Sequence, residues 1–310
     1  MTSFVGRASL NCLPFHPPIP SVQEMITETP REILLYPGEE AQGWRVRGFA
    51  NRFAALRPEG STVRRQDECF FLNMDGMGVH EVLVETPLHN KPLALMEDSG
   101  VEDVLHAYQE KYNALSRMSF VNLVIVFKNQ GPSAGTSLEH PHSQIVATPV
   151  VPKHIRMKYE VAIRYYDNTG RCLYSDLTEH ELKTGRRVVM ETERLVVFHP
   201  FASHQPFETW IVPRIHRASF GNASTEEAEN LAHVLRIVLL KLYRGLSNPD
   251  FNYVIDTAPV GDENKNYYLW HLRIIPRLTQ VAGFEIGSGI NVNTALPEET
   301  AQFMREQKVE

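Results

Sequence analysis

The residues best suited to chemistry lie in Ser137-Leu138-Glu139-His140-Pro141-His142-Ser143-Gln144-Ile145, where two histidines and a glutamine occupy alternate positions. Alternate side chains of a β-strand share a face, so the spacing predicts that His140, His142 and Gln144 project together, with Pro141, Ser143 and Ile145 on the other side. Proline has no amide hydrogen for a sheet ladder, which places Pro141 at a sheet edge or among a strand's first residues and predicts a histidine face open to a ligand. Upstream, Asn129-Gln130-Gly131-Pro132-Ser133-Ala134-Gly135-Thr136-Ser137 is rich in small residues whose backbone N–H groups suit close approach to phosphate oxygens. An imidazole with an ordinary pKa near about 6.5 is substantially neutral at pH 7 and able to attack phosphorus. The same pair could equally bind a metal or fill polar space, and spacing alone leaves these alternatives open.

The elements that must position these residues recur twice along the chain. Strands are predicted near Trp44-Arg45-Val46-Arg47 and at His80-Glu81-Val82-Leu83-Val84-Glu85, then a helix, then a strand pair around the histidines. The second half repeats the order with Leu195-Val196-Val197-Phe198, Glu208-Thr209-Trp210-Ile211-Val212, a helix, Tyr253-Val254-Ile255-Asp256 and a strand from Leu269 to Ile275. Both helices show apolar residues every three or four positions: Val101, Val104, Leu105, Tyr108, Tyr112 and Leu115 in one, Leu231, Leu235, Val238, Leu239 and Leu242 in the other. Ser224 followed three residues later by Glu227 predicts a capping box for the second, and Gly245 its stop. Between the halves, Lys153 to Tyr166 reads as helix, with a turn at Asp167-Asn168-Thr169-Gly170. The fold class is α+β: two copies of one module, each an antiparallel sheet with packed helices, over residues 1–152 and 153–310.

Bulk properties narrow the function. The 310 residues carry a formal charge of −6, and the longest Lys/Arg runs are the pairs Arg64-Arg65 and Arg186-Arg187, which argues against a nucleic-acid partner. No apolar segment is long enough to cross a bilayer and Met1 to Leu10 lacks a signal-peptide pattern, so a membrane partner is not expected and a cytoplasmic location is. Three widely spaced cysteines, Cys12, Cys69 and Cys172, do not make a disulfide framework; Cys69 and Cys172 are expected to be buried small side chains.

The stretch from Phe127-Lys128-Asn129-Gln130-Gly131 to His140-Pro141-His142-Ser143-Gln144 resembles the active-site motif of the galactose-1-phosphate uridylyltransferase family, a branch of the histidine-triad superfamily. Similar signatures stand in family order at Gly43-Trp44-Arg45-Val46-Arg47 with Asn51-Arg52-Phe53, at His80 to Pro87 with His89, at Pro200-Phe201-Ala202-Ser203 with Pro206 to Trp210, and at Ala282-Gly283-Phe284-Glu285-Ile286-Gly287-Ser288-Gly289. The resemblance implies a ping-pong nucleotidyl transfer in which His142 attacks the α-phosphorus of a nucleotide sugar and a sugar 1-phosphate then takes the nucleotide. It further implies that Gln144 bonds the phosphoryl oxygens, that Asn129, Gly131 and Ser137 line the phosphate path, that Asn51 lies near the nucleoside, and that Glu285 contacts sugar hydroxyls. The C-terminal module would contribute to the sugar-phosphate site, and the protein would be a homodimer. Residues 283–289 with Asn291 and Asn293 also resemble ADP-glucose phosphorylases, which pass AMP from ADP-glucose to phosphate. A nucleotide-binding homologue without turnover, and a nucleotidyl hydrolase, are the other readings.

Many family members bind zinc through a Cys-x-x-Cys pair and histidines at the positions of His89 and His140. This chain has no Cys-x-x-Cys; Cys12 and His16 are the nearest replacements, and Cys with three His is an acceptable tetrahedral set. A second family metal site is also altered, with Ser175 where a partner of Cys172 would sit and His271-Leu272-Arg273 in place of a His-x-His.

Overall fold

The computed structural model describes residues 34–37, 43–136 and 138–309. Ten strands form one antiparallel sheet: β1 (Leu34–Pro37), β2 (Trp44–Ala50), β5 (Val79–Val84), β7 (His142–Thr148) and β6 (Leu123–Gln130) from the first half, then β11 (Phe251–Asp256), β12 (His271–Pro276), β10 (Thr209–Pro213), β9 (Leu195–Phe198) and β8 (Val188–Glu191) from the second. The halves meet where β6 pairs with β11, with Asn129 opposite Asn252 and Phe127 opposite Val254. A separate hairpin joins β3 (Arg65–Asp67) and β4 (Phe71–Asn73).

Helices α1 (Asp98–Ser116) and α4 (Thr225–Gly245) cover one face along its length, and their predicted apolar stripes are buried there against Val124, Val126, Ile145, Ile211, Leu272 and Ile274. The capping box of α4 is present, Ser224 Oγ accepting from the Glu227 amide and Glu227 Oε2 accepting from the Ser224 amide. On the other face, α2 (Lys153–Thr169) and α3 (Leu173–Thr184) pack only over the second half, where Tyr159, Ala162, Cys172 and Tyr174 bury Val196, Phe198 and Val212. The helical pattern extends to Thr169, and the predicted turn is only its cap, Gly170 at φ +69°. Helices α5 (Gly283–Ser288) and α6 (Pro297–Glu306) close the chain, α6 held through Arg187 to Glu298 at 2.5 Å. Among the described residues no helix is long and apolar enough to cross a membrane.

Two expectations change. Strand β7 lies between β5 and β6 and not at a sheet edge, so Pro141 sits just ahead of the strand, where no ladder donor is required. His140 therefore precedes the strand, and of the three alternate residues only His142 and Gln144 share a strand face. Cys69 is exposed at the β3–β4 turn, whereas Cys172 is buried as expected.

Candidate active site

His142, the first residue of β7, is buried with its Nδ1 at 2.8 Å from the carbonyl oxygen of His140. A carbonyl only accepts, so Nδ1 carries the ring hydrogen and Nε2 keeps its lone pair. Burial holds the pKa below the usual histidine value, and the Lys128 ammonium acts in the same direction, which keeps the ring neutral near pH 7. A neutral, tautomerically fixed imidazole is the form a nucleophile needs.

Gln144 shares that face and is oriented by a residue not anticipated from the sequence. His80, on β5, accepts the Ala55 backbone N–H at Nδ1 (3.1 Å), so Nε2 bears the proton and donates it to Gln144 Oε1 at 2.8 Å. The amide nitrogen of Gln144 is left to donate elsewhere, suited to a phosphoryl oxygen. Asn51, just beyond β2, accepts the Phe53 N–H through Oδ1 (2.8 Å), so its Nδ2 is a second donor beside the protonated His80 Nε2, 3.0 Å away, and does not take that proton from Gln144. Strand alternation around Val82 and Val84 was the available signal for His80, since an imidazole at that spacing must sit on the face of Gln144.

The small-residue loop leaves β6 at Gly131, whose φ of +84° lies in the region open to glycine. A Cβ there would lie 1.8 Å from Asp250 Oδ1, and Asp250 Oδ2 accepts the Ser133 N–H at 2.6 Å. Asn129 stands two residues beyond Phe127, the neighbour of Gln144, on the same face. Ser137 lies outside the described residues. Glu285 accepts the Ala282 N–H at 3.1 Å and so caps its own exposed helix.

The face opposite His142 carries a buried polar cluster that composition did not reveal. Lys128 donates to Glu85 Oε2 at 2.7 Å and to the His142 carbonyl at 3.0 Å, while Ser143 donates to the other Glu85 oxygen and bonds Tyr108, which in turn bonds Tyr253. A lysine closing the apolar run Leu123-Val124-Ile125-Val126-Phe127 was the clue, because a buried ammonium requires a carboxylate partner.

The two family metal positions differ in how their side chains are placed. His89 Nδ1 and His140 Nδ1 face each other at 3.2 Å, and His140 Nε2 donates to the Thr86 carbonyl at 2.7 Å, the outer bond that orients a metal-ligating imidazole. Two ring nitrogens so placed fit two corners of a tetrahedral zinc site; Cys12 and His16 lie outside the described residues. In the second half the residues do not converge. His216 bonds Cys172 and the Lys265 carbonyl, while His271 stacks on Trp210 (centroids 4.5 Å apart) beside Asp256. Among the described residues no group of three or more His, Cys, Asp or Glu side chains is assembled for a metal.

One face of the α+β sheet thus carries a neutral histidine of fixed tautomer and an oriented glutamine, beside a loop that turns at a glycine. The chain matches the models of the galactose-1-phosphate uridyl transferase N-terminal domain over residues 37–152 and C-terminal domain over residues 158–310, and it belongs to that family. It is 36% identical to an ADP-glucose phosphorylase of Arabidopsis thaliana over 85% of this chain and 74% of that protein. It is 31% identical to a galactose-1-phosphate uridylyltransferase of Thermotoga maritima, over 84% of each. The crystal structure of an ADP-glucose phosphorylase from Arabidopsis thaliana with bound ADP-glucose superposes with a TM-score of 0.81 at 32% identity, covering 92% of this chain and 89% of that one. The chain is an enzyme of the nucleotidyltransferase type.

Proposed function

We propose that the protein moves a nucleoside monophosphate from a nucleotide sugar to a hexose 1-phosphate through a covalent intermediate on His142, as in galactose-1-phosphate uridylyl transfer. The observation that carries this is the His142 Nδ1 bond to the His140 carbonyl, which leaves Nε2 free on the face shared with Gln144 and Asn129. Nε2 forms a bond to the α-phosphorus as the bond from that phosphorus to the bridging oxygen breaks, and the sugar 1-phosphate leaves with the electron pair. The carbonyl of His140 then balances the positive charge on the substituted ring through Nδ1–H. In the second step a phosphate oxygen of the acceptor attacks the same phosphorus and the P–N bond breaks, with no net proton transfer. Gln144 and Asn129 serve as donors where negative charge builds. Asn51 and Ser137 complete the nucleoside and phosphate contacts, Gly131 lets the loop approach the phosphates, and the outer oxygen of Glu285 serves the sugar.

The identity to an ADP-glucose phosphorylase favours a second reading, AMP transfer from ADP-glucose to phosphate by the same histidine. The two halves act as duplicated modules, the first holding the nucleophile and the second part of the sugar-phosphate site. His89 and His140, with Cys12 and His16, would hold zinc as a structural ion; its presence is read by metal analysis of the wild type against His89→Ala. The protein works in the cytoplasm as a homodimer, a state favoured by the exposed apolar side chains of Phe284, Ile286, Ile290 and Val292 and read by sedimentation.

Intact mass after brief exposure to UDP-glucose or ADP-glucose, under alkaline handling, tests the mechanism. A UMP or AMP adduct that disappears in His142→Ala supports it and names the nucleotide. No adduct from either donor removes it.

A further inference from the structure

Asn252 comes from the other half of the chain, yet it is bonded to Asn129 from the same face of the sheet as His142. It stands opposite Asn129 in the β6–β11 register, and its Nδ2 donates to Asn129 Oδ1 at 2.7 Å. An amide can be turned end for end, so its polarity must be set by partners that cannot turn. Asn252 has two. Arg277, which has only donors, gives Nε–H to Asn252 Oδ1 at 2.5 Å, and the Ala134 carbonyl, which only accepts, takes Nδ2–H at 2.9 Å. Arg277 is itself pinned, its backbone N–H donating to the Asp250 carbonyl at 2.7 Å.

Together these bonds leave Asn129 one arrangement. Its Oδ1 must face Asn252, and its Nδ2 must therefore turn away as a donor. We infer that Asn252, anchored by Arg277 and Ala134, is a positioning residue that fixes the donor face of Asn129 toward the phosphates of the nucleotide substrate. It thereby lets the second half of the chain control phosphate recognition in the first. The bond to Ala134 also ties the small-residue loop to the same amide, so the loop and Asn129 are held as one unit with Asp250 and Ser133. This inference rests on Asn129 being a phosphate contact.

The test compares Asn252→Asp and Asn252→Leu with the wild type, measuring affinity for UMP and AMP and for uridine and adenosine. Aspartate accepts at both oxygens, which turns Asn129 so that its carbonyl confronts the phosphate; leucine removes the anchor without reversing it. Expected is a fall in nucleotide affinity of about tenfold or more for Asp and a smaller fall for Leu, with nucleoside affinity unchanged in both. Arg277→Lys, which keeps a donor-only side chain, retains wild-type nucleotide affinity. Equal losses for nucleotide and nucleoside, or wild-type nucleotide affinity in Asn252→Asp, overturn the relay. If the wild type forms no covalent adduct but Asn252→Asp still selectively loses nucleotide affinity, transfer chemistry falls and the relay stands. If the wild type binds neither nucleotide, both fall.

Discussion

Lys128 Nζ lies 3.0 Å from the carbonyl oxygen of His142 and 2.7 Å from Glu85 Oε2, on the sheet face opposite the His142 ring. The backbone of His142, the proposed nucleophile, is thus held from beneath by a buried ion pair. Removing one partner of such a pair strands the other in an apolar interior. Lys128→Met is expected to lower stability by about 3–5 kcal/mol. Adding Glu85→Gln to it should restore part of that loss, a coupling read from denaturant unfolding of the single and double variants.

In the proposed transfer neutral His142 is the reactive form, and burial holds its pKa below the ordinary histidine value. Adduct formation is therefore expected to stay fast as pH falls through the ordinary value of about 6.5, and to decline only below it. Single-turnover rates measured from about pH 5 to about pH 8 check this; an acid limb at or above about 6.5 contradicts it.

His80 orients Gln144 from the same face of the sheet. His80→Leu should slow adduct formation by about tenfold to a hundredfold, the scale of one lost donor to developing charge. The melting temperature is expected to change little, since His80 is only partly buried. Rapid-quench kinetics beside a thermal melt separate the two effects.

Gly131→Ala meets two obstacles, a positive φ and the Asp250 carboxylate at 1.8 Å. The loop must shift, so the variant is expected to lose nucleotide affinity and about 1–2 kcal/mol of stability. Gly131→Ala with Asp250→Gly opens the space while leaving φ strained, and should recover only part of both, as binding titrations and unfolding will show.

Burial lowers the pKa of His271 to about 4 against an ordinary 6.5, and this outweighs Asp256 at 3.6 Å, so the contact is not an ion pair at neutral pH. Lys158 and Arg273, which also face Asp256, add to the lowering. The unfolded chain binds the proton first, so stability is greatest above pH 6.5 and falls as pH drops toward 4, by about 3 kcal/mol from this group. His271→Asn should flatten that part of the curve of unfolding free energy against pH.

Much of the fold was legible locally. The helices α1 and α4 follow from apolar periodicity and the α4 start from Ser224 and Glu227, because these depend on residues near one another in the chain; that the two predicted sheets join into one through β6 and β11 was not legible there. The alternation of His142 and Gln144 likewise put them on one face. Their neighbour His140 escaped that rule because β7 begins only at His142, leaving His140 to turn toward His89.

What the sequence by itself determined is the set of chemical groups and the strands that carry them: a histidine pair, a glutamine, a loop of small residues and a doubled α+β pattern. Only the tertiary structure decided which atoms of those groups face outward. The polarity of Gln144 and that of Asn129 are each set by a partner on another segment, His80 and Asn252, whereas the His142 tautomer is set locally by the carbonyl of His140 two residues before it. Side-chain type says that an amide can donate or accept, but the choice belongs to whatever distant backbone or side chain folding brings within 3 Å of it. The second half's matching face shows the same dependence. There α2 and α3 bury the equivalent strands, and Lys158 and Arg273 pair with Asp256, so a repeated pattern in sequence is covered by helices on this face in the second half.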